Sequence, residues 1–283
     1  EIASLKCRFS EAISALNLEN EKPLVFRINR VKRTRRISMS LTIQHVTGGY
    51  GHLPVLKDIN FEVHNGEMIG LIGLNGAGKS TTIKNIIGLL TPQKGTITVD
   101  DLTLQQDPEN YRKKIGYIPE TPSLYEELTL REHIEVTAMA YGIPKDEAMK
   151  RAESLLKTFR LENRLNWFPV NFSKGMKQKV MVLCAFLIQP SLYIIDEPFL
   201  GLDPLAINAL LELMVTMKEQ GAAILMSTHI LATAEKYCDR FIVLHEGEVR
   251  AQGTLQELQA EFNLPGSSLD EIYIALTKEK EHA

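Results

Sequence analysis

Short, nearly continuous apolar segments alternate with segments of helical period along most of the chain. Four of the apolar segments have the length of strands: "EMIGLIG" ending at Gly73, "SLYIIDEP" at Ser191–Pro198, "AAILMSTH" ending at His229, and "RFIVLHEGEVRAQG" ending at Gly253. Strands without polar alternation are typical of a parallel sheet covered by helices on both faces. The pattern therefore predicts an α/β fold.

Between Tyr117 and Asn171 the strand pattern gives way to helical periodicity. The sequence Thr129–Glu132 forms a capping box, in which the first and fourth side chains satisfy each other's backbone amides at a helix start. These signals predict a helical subdomain inserted at about residues 120–175.

The end of the chain carries two more helix-start signals after Gly253. Capping boxes at residues 254–257 and 268–271 each precede apolar positions at helical spacing. The second helix gathers its apolar residues on one face: Leu269, Ile272, Tyr273 and Leu276. We therefore expect residues 254–283 to dock on the core as a short helical hairpin.

The composition is that of a globular protein. The chain has 283 residues, of which 44% are hydrophobic and 24% charged, which suits one large or two small domains. The longest apolar run, Val180–Ile188, has nine residues, far fewer than the roughly 20 that span a bilayer. The cysteines Cys7, Cys184 and Cys238 are widely spaced, which favours reduced thiols over disulfides or a metal site.

The first 38 residues differ from the rest in charge. They contain nine Lys or Arg against four Asp or Glu, and six of the nine lie in "RINRVKRTRR" (Arg27–Arg36). Because the chain has net charge −3 and this segment +5, the remainder carries −8. A basic run can bind nucleic acid or anionic lipid, but a disordered, solvated tail is the favoured interpretation. We expect residues 1–38 to be an upstream or non-native extension, and the folded domain to run from Met39 to Gly253.

The strongest chemical signal is "GLNGAGKST", residues 73–81, here called the phosphate loop. It follows a predicted strand, opens a helix and has the full spacing of a nucleoside triphosphate-binding loop. Glycines let backbone amides close around phosphate oxygens, a lysine reaches the terminal phosphates, and a serine hydroxyl binds Mg²⁺. The predicted binding residues are Gly73, Asn75, Gly76, Ala77, Gly78, Lys79, Ser80 and Thr81.

A pair of carboxylates ends the strand "LYIIDEP". Asp196 and Glu197 stand at the carboxyl edge of this strand, where the ligands of parallel sheets bind. Such a pair can also be a simple helix cap. With a phosphate loop upstream, we predict that Asp196 anchors Mg²⁺ and that Glu197 is the base that activates the attacking water. This predicts a hydrolase.

The stretch "NFSKGMKQKVMVLCAFLIQ" combines a buried helix face with an unusual start. Ser173 occupies the N-cap position, and Lys174 and Gly175 follow it. Exposed amides, a hydroxyl and a cation at a helix start can bind an anion. An ordinary capped helix with a solvated lysine fits the same spacing.

Taken in order, these motifs resemble those of ABC-type ATPases, the nucleotide-binding subunits of ATP-binding-cassette transporters. The resemblance covers residues 39–253 and includes Tyr50 upstream of the phosphate loop, "YIPE", "FSKGM", "GLDP" and "STH". The stretches "VTGGY", "YIPETPSLYEELTLREH", "FSKGMKQKV" and "DEPFLGLDPLAINALL" further resemble the Ecs-type transporter ATPases of Gram-positive bacteria. The resemblance implies a P-loop NTPase core with an antiparallel β subdomain and an inserted helical subdomain.

The resemblance also implies a partner for the helix start. In the family the signature is usually Leu-Ser-Gly-Gly-Gln, and two subunits pack head to tail so that each signature faces the other's phosphate loop. Ser173 and Gly175 stand at matching positions and are expected to contact ATP on a second copy. Lys174 and Met176 depart from the pattern: the cation adds attraction to phosphate, and a glutamine contact is lost.

Four further residues match family positions. Glu120 stands where a glutamine usually contacts Mg²⁺; a carboxylate can also ligand Mg²⁺, although a solvent-facing glutamate is the alternative. Tyr50 matches the aromatic that stacks on adenine, or is a turn tyrosine. His229 matches the histidine that contacts the γ-phosphate, and Asp203 the aspartate that couples the two sites, although an N-cap also explains Asp203.

The expected protein is therefore an ATPase that uses ATP and Mg²⁺ and drives transport. A head-to-tail homodimer is expected to bind a separate polytopic transmembrane permease and to lie in the cytoplasm on the inner face of the membrane. The Ecs-type resemblance suggests protein or peptide export. The alternative is a soluble ABC ATPase acting on nucleic acid or the ribosome; a single cassette and a net charge of −8 disfavour it, so no nucleic-acid partner is expected.

Overall fold

The computed structural model describes residues 39–51 and 53–278, and these ranges form two sheets and nine α-helices. The predicted tail of residues 1–38 lies outside the described residues. Within the described ranges, no helix has both the length and the apolar content needed to cross a membrane.

The larger sheet has six strands and carries the chemistry. Its order is β10-β9-β3-β8-β7-β6, and all neighbours are parallel except the antiparallel pair β9 and β10. The strands are β3 (Met68–Ile72), β6 (Ile115–Ile118), β7 (Leu192–Asp196), β8 (Ala223–Ser227), β9 (Arg240–His245) and β10 (Glu248–Gly253). Every residue of β3, β7 and β8 is buried, which explains their continuous apolar sequences.

The smaller sheet has four strands in the order β2-β1-β4-β5, all antiparallel. They are β1 (Met39–Tyr50), β2 (Leu53–His64), β4 (Lys94–Val99) and β5 (Leu102–Thr103). Alternate residues such as Leu41 and Ile43 of β1 are buried in one core cluster with Ile69, Leu71 and Ile194 of the larger sheet. The two sheets therefore share a core, and the predicted α/β class is confirmed.

Nine helices pack around these sheets. They are α1 (Lys79–Ile86), α2 (Pro108–Lys113), α3 (Leu130–Ala140), α4 (Lys145–Phe159), α5 (Lys174–Leu187), α6 (Pro204–Glu219), α7 (Leu231–Tyr237), α8 (Leu255–Glu261) and α9 (Leu269–Lys278). Short 3₁₀ turns occupy Glu162–Arg164 and Pro169–Asn171. The capping box at Thr129 forms at the start of α3. Helices α3 and α4 lie within the predicted insertion, and α5, which begins at its end, packs on both of them.

Candidate active site

The phosphate loop joins β3 to α1 at the carboxyl edge of the larger sheet. Gly78 has φ 110°, in the left-handed region, and a Cβ there would lie 2.8 Å from the Leu56 side chain. The tip of the neighbouring hairpin supports the loop, because the Gly247 N–H donates to the Ala77 carbonyl at 3.0 Å. Ala77 and Thr81 are buried, whereas Asn75, Gly76 and Ser80 are exposed. The loop therefore presents its middle and its serine outward on a fixed base.

Lys79, which is predicted to bind the terminal phosphates, is buried within the phosphate loop. Its Nζ donates to the Gly73 carbonyl at 2.8 Å and to the Leu74 carbonyl at 3.4 Å. Both acceptors are neutral peptide oxygens, so these contacts hold the ammonium without cancelling its charge. The first turn of α1 contains no acidic residue, and the helix dipole adds positive potential there. This end of α1 has the electrostatics of an anion site.

Asp196 and Glu197 lie beside the end of β8. Asp196 pairs in register with Ser227, whose hydroxyl donates to the Asp196 carboxylate. The Glu197 N–H donates to the Ser227 carbonyl at 3.1 Å and lies 3.2 Å from its Oγ. Glu197 itself has φ 45°, an unusual conformation for a residue with a side chain. The chain thus turns sharply after β7 and holds both carboxylates at the sheet edge.

Several charges act on Asp196. Burial raises the pKa of Asp196, and the charges of Glu120 and Glu197 raise it further, while the Ser227 hydroxyl and Lys79 oppose the rise. Burial, with the charges of Asp196 and Glu120, likewise raises the pKa of Tyr117 to about 12. The predicted residues Lys79, Glu120, Asp196 and Glu197 therefore belong to one electrostatic group.

His229 is joined directly to Glu197. The His229 ring atom Nδ1 lies 2.7 Å from Glu197 Oε2, and the His229 backbone N–H donates to the same oxygen at 3.3 Å. The histidine is exposed and the glutamate side chain is largely buried. The structure thus brings together two residues that lie 32 positions apart in sequence.

The donor set fits Mg²⁺. Mg²⁺ prefers oxygen ligands and is usually held by one or two carboxylates together with substrate phosphates and water. Burial, and after it the charges of Glu120 and Glu197, raise the pKa of Asp196, and a bound divalent cation would offset both effects. Ser80 contributes an exposed hydroxyl. In the described ranges, no group of three or more His, Cys, Asp or Glu side chains is arranged to hold a metal ion.

The helix start at Ser173 contacts a different part of the molecule. The Ser173 hydroxyl caps α5 by accepting from the Met176 N–H at 3.3 Å. A Cβ on Gly175 would overlap the Gly201 carbonyl oxygen, so the close approach of α5 to this loop requires glycine. Lys179 of α5 lies 2.7 Å from Asp203, which caps α6. These contacts join the start of α5 to the loop before α6.

Ser173 and Gly175 lie apart from the phosphate loop, whereas Tyr50 lies beside the end of the loop. Among the described residues, no hydrogen bond or ion pair joins Ser173 or Gly175 to residues 73–81. Tyr50 is half-exposed at the end of β1, and its hydroxyl accepts from Lys84 Nζ of α1 at 2.9 Å. That hydrogen bond is the main cause that lowers the pKa of Tyr50. The Thr81 side chain also lowers the pKa of Tyr50, so the tyrosine hydroxyl lies beside the first two turns of α1, at the end of the phosphate loop.

The sequence did not predict two further polar residues near the site, Ser227 and Gln178. Ser227 contacts both carboxylate residues, as described above; a polar residue ending an apolar strand was its signal. Gln178 is fully buried in α5 and donates to the Pro119 carbonyl at 3.2 Å, next to Glu120. Its neighbour Lys177 pairs with Glu126 at 2.9 Å. The helix that begins at Ser173 is thereby joined to the segment that carries Glu120.

Comparison with known proteins identifies the class. The model of the ABC transporter family matches residues 56–200, which is half of the chain, and the chain belongs to this family. It is 63% identical over 239 residues to the ABC-type transporter ATP-binding protein EcsA of Bacillus subtilis (strain 168), covering 84% of this chain and 97% of that protein. These matches confirm the ABC and Ecs-type resemblance.

Solved structures agree with this identification. A structure of the ATP-binding subunit of an ABC transporter is 60% identical, with a TM-score of 0.82, and covers 84% of this chain and 99% of that one. The ATP-binding cassette MJ0796, solved as a dimer in a post-hydrolysis state with ADP and Pi, is 28% identical, with a TM-score of 0.68, covering 76% and 98%. The chain is an ATP-binding and ATP-hydrolysing subunit of an ABC transporter with the expected P-loop NTPase fold.

Proposed function

We propose that two copies of this chain bind two ATP molecules head to tail, with Ser173 and Gly175 of one copy completing the site of the other. One observation carries the proposal. The phosphate loop, Asp196, Glu197 and His229 share one sheet edge, whereas the exposed start of α5 is joined to the Gly201–Asp203 loop instead. ABC ATP-binding subunits work as dimers, and the similarity to the MJ0796 dimer supports the same arrangement here.

Each copy supplies the residues that bind its own ATP. Lys79 exchanges its two peptide carbonyls for phosphate oxygens, which gives stronger, charge-assisted hydrogen bonds. The amides of residues 75–81 close around the phosphates. Tyr50 offers a flat face for the adenine base. Mg²⁺ supplies positive charge to the phosphates, and Ser80, Asp196 and Glu120 are the residues that hold it.

Glu197 and His229 carry the chemical step. Glu197 accepts a proton from the attacking water as the water oxygen bonds to the γ-phosphorus and ADP leaves with the bridging oxygen. His229 engages the carboxylate of Glu197 directly, so it must turn from Glu197 to the γ-phosphate before the base is free. Closure of the dimer over γ-phosphate therefore couples substrate binding to the geometry of the base.

The signature of this chain, Phe172–Met176, departs from the family pattern, and this changes only part of the proposed contact with the partner's ATP. Ser173 and Gly175 keep the hydroxyl and the amides that face the partner's γ-phosphate. Lys174 is exposed at the helix start, where the dipole disfavours a cation unless an anion is near. The partner's phosphate supplies that anion. Met176 cannot replace a glutamine side chain as a hydrogen-bond donor.

The membrane partner is a polytopic permease, which holds the subunit on the inner face of the membrane. The permease is proposed to bind at a surface flanked by Glu120 and the helical subdomain. Gln178 and Lys177 join the segment that carries Glu120 to α5, so this surface is connected to the helix that starts at the signature. The motifs that resemble the Ecs type suggest an exporter-type complex, with proteins or peptides as the proposed cargo. The nucleic-acid or ribosome alternative is not favoured. Copurification of the chain with the multispanning product of a neighbouring gene tests the partner.

A mixing experiment tests the shared site. Lys79→Ala and Ser173→Ala proteins are each expected to be inactive, but a mixed dimer has one intact site, formed by Lys79 of one copy and Ser173 of the other. Partial recovery of ATP hydrolysis on mixing supports the proposal. Without recovery, although light scattering shows mixed dimers, the shared site is wrong.

A further inference from the structure

The end of strand β1 is fixed by the chain that follows helix α1. Tyr50 and Leu53 pair across the turn between β1 and β2. The Gln93 side chain donates from Nε2 to the Gly51 carbonyl at 2.9 Å, and the Gln93 N–H donates to the Thr47 carbonyl at 2.8 Å. The backbone that carries Tyr50 therefore has a defined position next to α1.

The Tyr50 side chain depends on a separate contact with Lys84. Its ring is half-exposed, so burial alone does not select one orientation. Lys84 Nζ donates to the Tyr50 hydroxyl at 2.9 Å and lies 5.3 Å from the centroid of the ring. An ammonium at this distance adds a cation–π attraction to the hydrogen bond. Because the ammonium is closer to the hydroxyl than to the ring centre, the ring still offers a flat face.

Lys84 itself has a fixed base. It lies in the last turn of α1, the helix that begins at Lys79. Its carbonyl accepts from the N–H groups of Leu89 and Leu90 at 2.8 and 3.0 Å, which secures the end of the helix. At a rise of about 1.5 Å per residue, Lys79 and Lys84 are only about 7.5 Å apart along the helix axis. One helix thus joins the loop that binds phosphate to the lysine that holds the tyrosine.

The orientation of the Tyr50 ring matters because aromatic rings pair only in defined arrangements, such as offset stacking. A side chain that samples several rotamers presents its face to the base only part of the time. A site that is competent only part of the time binds its ligand more weakly by that fraction. A contact that fixes the ring removes this loss.

We infer that Lys84 is a positioning residue for ATP binding, which holds the Tyr50 ring in the orientation that stacks on the base. The inference rests on the proposed role of Tyr50 as the surface for adenine. Lys84 lies outside the phosphate loop, residues 73–81. It acts through the tyrosine hydroxyl and does not touch the nucleotide.

The main test compares two lysine variants of the full chain. Lys84→Met keeps an unbranched side chain that favours helix and removes the ammonium. Lys150→Met is the matched control, because Lys150 is exposed on α4 of the helical subdomain. We expect Lys84→Met to raise Kd and KM for ATP, measured with Mg²⁺, about three- to tenfold, the effect of one hydrogen bond, with kcat unchanged. Lys150→Met should behave as the wild type. Equal changes in the two variants, or none in Lys84→Met, would overturn the inference.

Inorganic tripolyphosphate separates positioning from simple charge attraction. It can occupy the phosphate loop but has no base, so its inhibition constant for ATP hydrolysis should be the same in Lys84→Met as in the wild type. An ammonium that attracted the phosphates directly would strengthen the binding of both ligands. If Lys84→Met weakens tripolyphosphate as much as ATP, the positioning role is therefore wrong.

A double-mutant cycle tests whether Lys84 acts through the hydroxyl. Tyr50→Phe keeps the ring, loses the hydroxyl and should weaken ATP binding as much as Lys84→Met does. The combined variant should bind no more weakly than either single variant, and additive losses would contradict the inference.

Tyr50→Ala separates the failure of this inference from the failure of the proposed adenine site. If Tyr50→Ala weakens ATP binding while Lys84→Met does not, only the positioning role is wrong. If Tyr50→Ala binds ATP as the wild type does, the assignment of Tyr50 to adenine itself fails.

Discussion

Glu197 Oε2 accepts from the backbone N–H of His229 and lies 2.7 Å from the ring nitrogen Nδ1 of the same residue. Glu197, the proposed base, and His229, the residue proposed to contact the γ-phosphate, thus form a pair. The contact orients the carboxylate at the sheet edge, and it also occupies one of the two carboxylate oxygens that could accept the proton. The histidine is the exposed and therefore the more movable member.

Glu197→Gln tests the proposed base. Glutamine keeps the size of the side chain but cannot take the proton, so we expect turnover to fall by about 10²- to 10⁴-fold while ATP binding persists. The uncleaved ATP should hold two copies together, and size-exclusion chromatography with light scattering should show an ATP-dependent dimer. A fully active variant would exclude Glu197 as the base.

Lys79→Ala tests the phosphate loop. The variant loses the hydrogen bonds that the ammonium is proposed to make to the phosphates, so the affinity for ATP should fall by about a hundredfold or more. Calorimetric titration with Mg²⁺ and ATP measures it. Lys150→Ala is the control, because Lys150 is an exposed lysine on α4 of the helical subdomain. An unchanged affinity in Lys79→Ala contradicts the assignment.

Asp196→Asn should separate stability from activity. Because burial raises the pKa of Asp196 in the folded chain, the folded protein binds this proton more tightly than the unfolded chain does. The free energy of unfolding therefore falls as the pH rises above the ordinary aspartate value of 3.8. At neutral pH, Asp196→Asn removes a buried charge and can still accept from Ser227.

We expect Asp196→Asn to raise the melting temperature of the protein without nucleotide, by about 2–4 °C for each kcal/mol of stability that the lost charge returns. ATP hydrolysis should be lost, because the proposed Mg²⁺ ligand is gone. Glu127→Gln removes an exposed carboxylate instead and should change neither property. A lower melting temperature in Asp196→Asn would contradict the charge argument.

Ser173→Ala tests the contact between the two copies. The variant loses an N-cap, which costs about 1 kcal/mol of stability, and it loses the hydroxyl proposed to face the partner's ATP. Thr129→Ala loses an equivalent hydroxyl cap at the start of α3 and serves as the control. ATP-dependent dimerisation and turnover should fall in Ser173→Ala alone. Equal activity of the two variants would mean that Ser173 only caps its helix.

Local patterns were enough to predict most of the fold. The buried strands β3, β7 and β8 are continuous apolar runs, and Thr129 and Ser173 cap helices where their sequences predict it. The antiparallel sheet was expected only from the family resemblance. Its strand β1 has several register shifts against β2, and such irregular pairing leaves a weak sequence signal.

The sequence by itself was enough to predict the phosphate loop and the carboxylates at the end of β7, because each depends on residues that are close together in the chain. Only the tertiary structure decided that Glu197 contacts His229 and that Gln178 reaches Pro119. The physical reason is that these contacts join segments brought together by strand order and helix packing. Neither property is encoded in the spacing of any one motif.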